Sequence, residues 1–492
     1  MLFNSYIFVF LFLPLCLTGY FLLNHFKRKK AAQIFLLCMS LWFYAYFNVG
    51  YLAIIIGSIL INYGFYYLSR IVKEERARKV LKALAVLCNL AVLFYYKYFD
   101  FFVENVNALF GTEFTLLNIL LPLGISFFTF QQISLVIDAF NGEVPDYDFI
   151  SYACFVAFFP QLVAGPIVSH DELVPQLMSD DNKRFSWDSF SKGFFIFALG
   201  LGKKVLLADA LGGAVDYGFS AFRDFHWEDM NSTAVYISAI SYTLQLYFDF
   251  SGYSDMAVGI GKMFNMDLPR NFNSPYQALS ATEFWKRWHI TLTRFLRKYI
   301  YYPLGGNRKG AARTYLNIMI VYFVSGLWHG ADWTFVVWGL LNGAFCVVYR
   351  LFRRFFERLP KALNWLITFA EAVFAFVAFR AESMHDTLFF WARMLKPRFG
   401  SLSSGFLDGF AQPEFMWLFS RIPALGNFID IRVIIMILYL TVSMLIILVP
   451  KNAYAQMERF TPDAKKALLT AALLCWCICS FSGVSTFLYF NF

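Results

Sequence analysis

Apolar runs alternate with short charged links along this chain, and the runs are roughly 20 residues long, the length of a helix that crosses a bilayer. They cover residues 3–23, 31–47, 50–68, 83–99, 116–137, 151–168, 193–208, 233–250, 314–327, 333–349, 363–379, 431–449 and 467–489. The pattern predicts an all-α, polytopic integral membrane protein of about ten to thirteen helices, with partial ones beside them. No internal repeat or low-complexity linker interrupts it, so 1–492 reads as a single membrane domain.

The links carry the charge. Lys27, Arg28, Lys29 and Lys30 follow the first run and nothing basic precedes it. A cleaved leader carries its charge in front, so this run reads as a retained helix with its N-terminus outside. Basic links belong on the cytoplasmic side. That rule puts 24–30, 70–82, 297–313 and 350–361 inside, and a loop of mixed charge at about 380–430 outside. Composition agrees: 59% of residues are hydrophobic and 15% charged, too few charges to cover a water-soluble surface. The net charge of +9 resides in these links and makes no case for nucleic acid. All eight cysteines lie in or beside apolar runs without a CxxC, so neither a disulfide framework nor a zinc site is expected, and no metal is required.

Several runs are broken. Pro122 and Gly124 interrupt the run at 116–137, where Gln131, Gln132 and Asp138 are polar; Pro160, Gly165 and Pro166 interrupt 151–168. Irregular backbone at this depth is tolerated where it is buried in protein or lines a cavity. Re-entrant helices around a tunnel and plain proline kinks both fit. GLGKK at 200–204 lacks the spacing of a phosphate loop. Asp249 and Asp255 flank Ser251 and Gly252; with no Glu or His nearby in sequence, capping or ion pairing is the better reading than acid–base work.

Residues 283–300, EFWKRWHITLTRFLRKYI, give a two-faced wheel at about 100° per residue. Phe284, Trp285, Trp288, Leu292, Phe295, Leu296 and Tyr299 share a face; Lys286, Arg287, Arg294, Arg297 and Lys298 share another, and Arg308 extends the patch. The expectation is a basic amphipathic helix lying in the cytoplasmic interface. It serves as an anchor to membrane lipid or as a dock for a phosphorylated ligand. His289 sits at the edge of its apolar face. A second histidine, His329, lies inside the apolar stretch 321–343, flanked by Trp328 and Trp333 and set between Gly326 and Gly330. An imidazole at membrane depth is a candidate functional group; a helix-packing histidine is the alternative. Gly326 and Gly330, and Gly339 and Gly343, form GxxxG pairs that permit close helix approach.

Taken together, FFTFQQISLVIDAF (127–140), FFPQLVAGPI (158–167), YFDFSGYSDMAVGIG (247–261), NFNSPY (271–276), FWKRWHITLTRFLRKYIYYPLGGNR (284–308), GLWHGADWTFVVWG (326–339) and FLYFNF (487–492) are specific. The chain resembles the membrane-bound O-acyltransferase (MBOAT) family, and within it the membrane subunits of bacterial alginate O-acetylation. The resemblance places core motifs at 120–345. It maps the family's intramembrane histidine onto His329 and its more cytoplasmic histidine onto His289. Lys286 stands where Arg is expected and Asp332 where Asn is expected. The resemblance implies a tunnel lined by Trp328, Asp332, Trp333, Asp249 and Gln131. It implies acetyl-CoA as donor, with no bound cofactor, held by Lys286, Arg287, Arg294, Arg297 and Arg308. It further implies a polysaccharide acceptor of the alginate kind, or another envelope glycan with acetyl, D-alanyl or other acyl transfer, and an extracytoplasmic acetyl carrier or transferase as partner, in a bacterial inner membrane. A transporter using His329 as a proton relay is the rival from another class.

The charge asymmetry makes a topology prediction. A cysteine introduced at Ser403 is labelled by an impermeant maleimide from outside the cell, and one at Arg76 is not; the opposite pattern would reverse the orientation and the donor side.

Overall fold

The computed structural model describes residues 1–421, 430–481 and 486–488. These are helices, turns and irregular segments, with no strand among the described residues. The helices that frame the interior and the site are α1 Phe8–His25, α2 Lys29–Ala45, α3 Tyr51–Ile71, α4 Glu75–Phe110, α5 Ile125–Asn141, α6 Trp187–Gly202, α7 Ser232–Met263, α8 Ala281–Arg287, α9 Ile290–Leu296, α10 Ala311–His329, α11 Trp333–Leu351, α12 Lys361–Arg380, α13 Met384–Leu395, α14 Ile431–Leu448 and α15 Ala464–Cys479. Among them α1, α3, α4, α11, α12 and α14 are long and apolar enough to cross a membrane. The protein is therefore a polytopic helical membrane protein.

The interior is organised around α7, 32 residues and about 48 Å long. Asn231 starts it by accepting the Thr233 and Ala234 N–H groups. Most of its residues are buried, including Ser238, Thr243, Asp249 and Ser251. It packs on α6 through two glycine pairs. A Cβ on Gly200 would stand 2.6 Å from the Gly252 carbonyl oxygen, and one on Gly193 would stand 2.5 Å from that of Gly259. GLGKK is thus a helix-packing motif with a buried cation at its end. Lys204 pairs with Asp209 at 2.7 Å and Asp249 at 2.9 Å, and Lys203 pairs with Asp255 at 2.6 Å. Ion pairing was the better reading for Asp249 and Asp255, and it is what they do.

Two apolar cores flank α7. One gathers α1, α2, α5 and the broken segment 151–168; the other gathers 208–250, α11 and α12. The prolines of 151–168 split that run into Phe149–Ala157 and Phe159–Leu162, both buried.

Two expectations are corrected. The stretch 283–300 is not one interfacial helix. It is two short helices, α8 and α9, parted at Trp288 and His289, because His289 takes left-handed backbone angles (φ +43°, ψ 54°). Its apolar face is buried in protein: Trp285 and Trp288 join one core, Leu292 and Phe295 the other. The 380–430 region is not a loose loop. It holds α13, Ser404–Asp408 and Pro413–Ser420, and Phe390 stacks on Phe219 with ring centroids 4.4 Å apart. Residues 422–429 and 489–492, with most of FLYFNF, lie outside the described residues. The stretch 209–229 starts as a helix, Asp209–Phe219, continuous with α6.

The GxxxG expectation holds on α10 and α11. A Cβ on Gly326 would run into the Phe335 carbonyl oxygen, and one on Gly339 into that of Tyr322. Backbone cannot yield as a side chain can, so Gly339→Val is expected to cost ~1–3 kcal/mol or more. Thermal unfolding in detergent checks this, with Leu340→Val on the same helix but more exposed as the unaffected control.

Candidate active site

His329 is the last residue of α10, and Gly330 ends the helix there. The imidazole is 3% exposed. Trp328 and Trp338 stand edge-on to it at 4.9 Å each, and Phe379 of α12 at 5.2 Å. Trp338, one turn into α11, takes the place assigned above to Trp333. Trp333 is 53% exposed and donates its indole N–H to Asn105 at 2.9 Å. Asp332 caps α11 by accepting the Thr334 N–H at 2.7 Å.

His289 is 1% exposed, and its ring centroid lies 6.3 Å from that of His329. The two histidines, forty residues apart, form one site at the seam between the cores. Trp328 belongs to one core, Trp288 and Trp338 to the other. Asn271 holds His289. Its Oδ1 is 3.1 Å from His289 Nδ1 and accepts the Thr291 hydroxyl at 3.0 Å, while the Thr291 oxygen in turn accepts the Ile167 N–H at 3.0 Å. The Asn271 backbone carbonyl accepts the Ile290 N–H at 2.9 Å. With Asn271 Oδ1 as the acceptor, His289 Nδ1 carries the proton and its Nε2 carries the lone pair.

A second unforeseen contact lies on the other side. Lys97 of α4 donates to the backbone carbonyls of Trp328 at 2.7 Å and His329 at 2.9 Å. A small cavity of about 30 Å³ is lined by Lys97, Gly124, Ser126, Trp328 and His329. A residue such as Lys97, alone in an apolar run, has the signature of an intramembrane functional group. Asn271 had no comparable signal, since its role depends on the fold.

The proposed phosphate contacts divide in two. Arg287 pairs with Glu283 at 2.7 Å and Arg294 with Glu172 at 2.5 Å, and Lys298 reaches Asp138 at 3.0 Å. Lys286, Arg297 and Arg308 are exposed. The paired Arg294 and Lys298 line a cavity of about 160 Å³, with Ser134, Thr291, Phe295 and Tyr299. Asp249 is occupied by Lys204 and also accepts the Leu488 N–H at 3.0 Å. Gln131 is buried in α5. No cluster of metal-ligating side chains occurs among the described residues.

Chemically, the site offers two imidazoles within reach of one substrate, closed in by aromatic rings. Comparison with known proteins gives it a context. The family described as MBOAT, membrane-bound O-acyltransferase, matches residues 141–384. The chain is 41% identical to the peptidoglycan O-acetyltransferase of Helicobacter pylori, over 79% of this chain and 78% of that one. It is 40% identical to the probable alginate O-acetylase of Pseudomonas putida, over 78% of each. It is 25% identical to the teichoic acid D-alanyltransferase of Bacillus subtilis, over 54% of this chain and 71% of that one.

The geometry predicts that Asn271→Ala, which removes the acceptor shared by His289 and Thr291, lowers stability by ~1–3 kcal/mol. Denaturant or thermal unfolding in detergent measures it. An unchanged midpoint would show that Asn271 does not hold the histidine.

Proposed function

Because the chain belongs to the membrane-bound O-acyltransferase family and is an O-acyltransferase, we propose that it moves an acetyl group from cytosolic acetyl-CoA, across the membrane, toward a hydroxyl of an extracytoplasmic polysaccharide. The observation that carries the reading is the pair of buried imidazoles 6.3 Å apart inside a closed aromatic shell. Acetyl transfer is preferred over D-alanyl transfer because the relatives at 40% and 41% identity are named for acetylation, and the one named for D-alanylation stands at 25%.

The thioester is already activated, so the protein supplies a base and positioning. Neutral His329 takes the proton of the acceptor hydroxyl as its oxygen attacks the thioester carbonyl carbon. The C–S bond breaks, the new C–O bond carries the acetyl group, and CoA leaves as its thiol once His329 gives the proton it took to the departing sulfur. His289 orients the thioester. Asn271 fixes its ring through Nδ1. The pantetheine arm approaches from the basic side, through the cavity beside Thr291, whose hydroxyl shares Asn271 with His289. Exposed Lys286, Arg297 and Arg308 meet the phosphates of CoA. Arg287 and Arg294, already engaged by carboxylates, shape that surface instead. The basic links mark the cytoplasmic face of a bacterial inner membrane. An extracytoplasmic carrier or transferase receives the group on the other side and passes it to the glycan, which the peptidoglycan and alginate relatives both favour as acceptor class.

Thiol release by the purified protein from acetyl-CoA, with a cognate acceptor present, tests this directly. His329→Gln keeps the size of the ring and loses the base, so turnover falls ~10²–10⁴-fold while CoA still binds. His289→Ala retains more activity. A well-folded His329→Gln protein that releases CoA at the wild-type rate would overturn the assignment.

A further inference from the structure

The end of α10 is held from outside the stretch that matches the family. Residues 141–384 match, and Lys97 and Tyr98 precede them. Both lie in Phe94–Tyr98, a five-residue π-turn inside α4. Such turns interrupt α-helices mostly at functional places. Here the turn aims two adjacent side chains at one target. The Tyr98 hydroxyl donates to the Leu327 carbonyl at 2.8 Å. The Lys97 ammonium donates to the Trp328 carbonyl at 2.7 Å and the His329 carbonyl at 2.9 Å, with Ser126 Oγ at 3.5 Å. Three consecutive carbonyls at the C-terminal end of α10 are thereby bonded. They belong to the set that a helix leaves without internal partners, and they are the end that favours a cation.

Lysine is an expensive choice for this job at membrane depth. A neutral donor would satisfy a carbonyl equally well. What the ammonium adds is three donors on one atom, enough to bind two successive carbonyls and fix the backbone of His329 itself. The glycine at 330 lets α10 end there, so nothing beyond His329 in the helix holds its carbonyl.

We propose that Lys97, seconded by Tyr98, is a positioning residue for acyl transfer: it clamps the end of α10 so that the His329 ring faces His289 at reacting distance. This rests on the assignment of His329 as the base. It adds a segment of α4 to the catalytic apparatus of the protein.

The test uses the full-length protein in detergent or nanodiscs, with acetyl-CoA and acceptor, and reads kcat and KM separately. Lys97→Met is expected to lower kcat ~10–100-fold, the cost of a base displaced by about 1 Å, with donor KM unchanged. Lys97→Arg, which can also donate to two carbonyls, restores most of the loss. Tyr98→Phe removes one hydrogen bond without touching charge and lowers kcat ~2–10-fold, which keeps the proposal testable where Lys97→Met fails to give a monodisperse protein. Combining Lys97→Met with His329→Gln is expected to slow the enzyme no further than His329→Gln alone. Wild-type kcat in Lys97→Met or Tyr98→Phe, or a further loss of the same factor in the combined variant, would overturn the clamp. An inactive His329→Gln enzyme beside a fully active Lys97→Met enzyme removes this inference alone; an active His329→Gln enzyme removes the base assignment and this inference with it.

Discussion

Everything in the site depends on a backbone break at His289. Left-handed angles are uncommon for a residue with a Cβ and persist where the surroundings hold them. Here the surroundings are residues 271–273. The Asn271 carbonyl takes the Ile290 N–H, its side chain takes His289 and Thr291, and the Asn273 N–H donates to the Arg287 carbonyl at 2.8 Å. Strapped this way, the chain changes direction at the histidine. One short helix enters each aromatic core, and the imidazole is left at the seam, beside His329. A straight helix through 283–300 would carry His289 on a single face and could not fill both cores.

This constraint explains what was legible in the sequence and what was not. The apolar runs, the GxxxG contact of α10 with α11 and the burial of His329 follow from local composition, and the structure has them; the burial of His289, expected at the edge of an interfacial helix, does not. The apolar face drawn on the 283–300 wheel is also largely correct, with Phe284, Trp285, Trp288, Leu292, Phe295 and Leu296 buried and Tyr299 partly so. What periodicity could not reveal is that this face is divided between two cores, since no glycine or proline marks the break. Along the sequence it is Trp333 that stands beside His329. Three-dimensional proximity is set instead by the turn at Gly330 and the cap at Asp332, which bring Trp338 back over the ring. Asn271 and Lys97 act across long sequence separations, and neither the NFNSPY motif nor the YYKYF run states its partner.

Charge shows the same division between composition and context. The sequence presents a cationic face, but Arg287, Arg294 and Lys298 are matched by carboxylates: Glu283 on the same short helix, Glu172 after the broken segment, and Asp138 and Glu143 at and just past the end of α5. A patch that reads as a phosphate dock is in part a brace, tying α9 to Glu172 and the turn after α9 to the end of α5. Lys286, Arg297 and Arg308 are exposed, while the paired Arg294 and Lys298 line the cavity that opens beside Thr291. The same holds for Lys204, whose glycine-rich approach resembles a nucleotide loop only in print; the lysine is an interior counter-charge for Asp209 and Asp249.

The central claim is that one acyl group meets both imidazoles at the seam. The most direct measurement is a cryo-EM structure of the protein with a thioether analogue of acetyl-CoA that cannot transfer its group. The account predicts density running from the surface near Arg297 and Arg308, past Thr291, with the acyl carbonyl carbon lodged between His289 and His329. An analogue bound with its acyl end elsewhere, and both histidines packed as they are without it, would contradict the account.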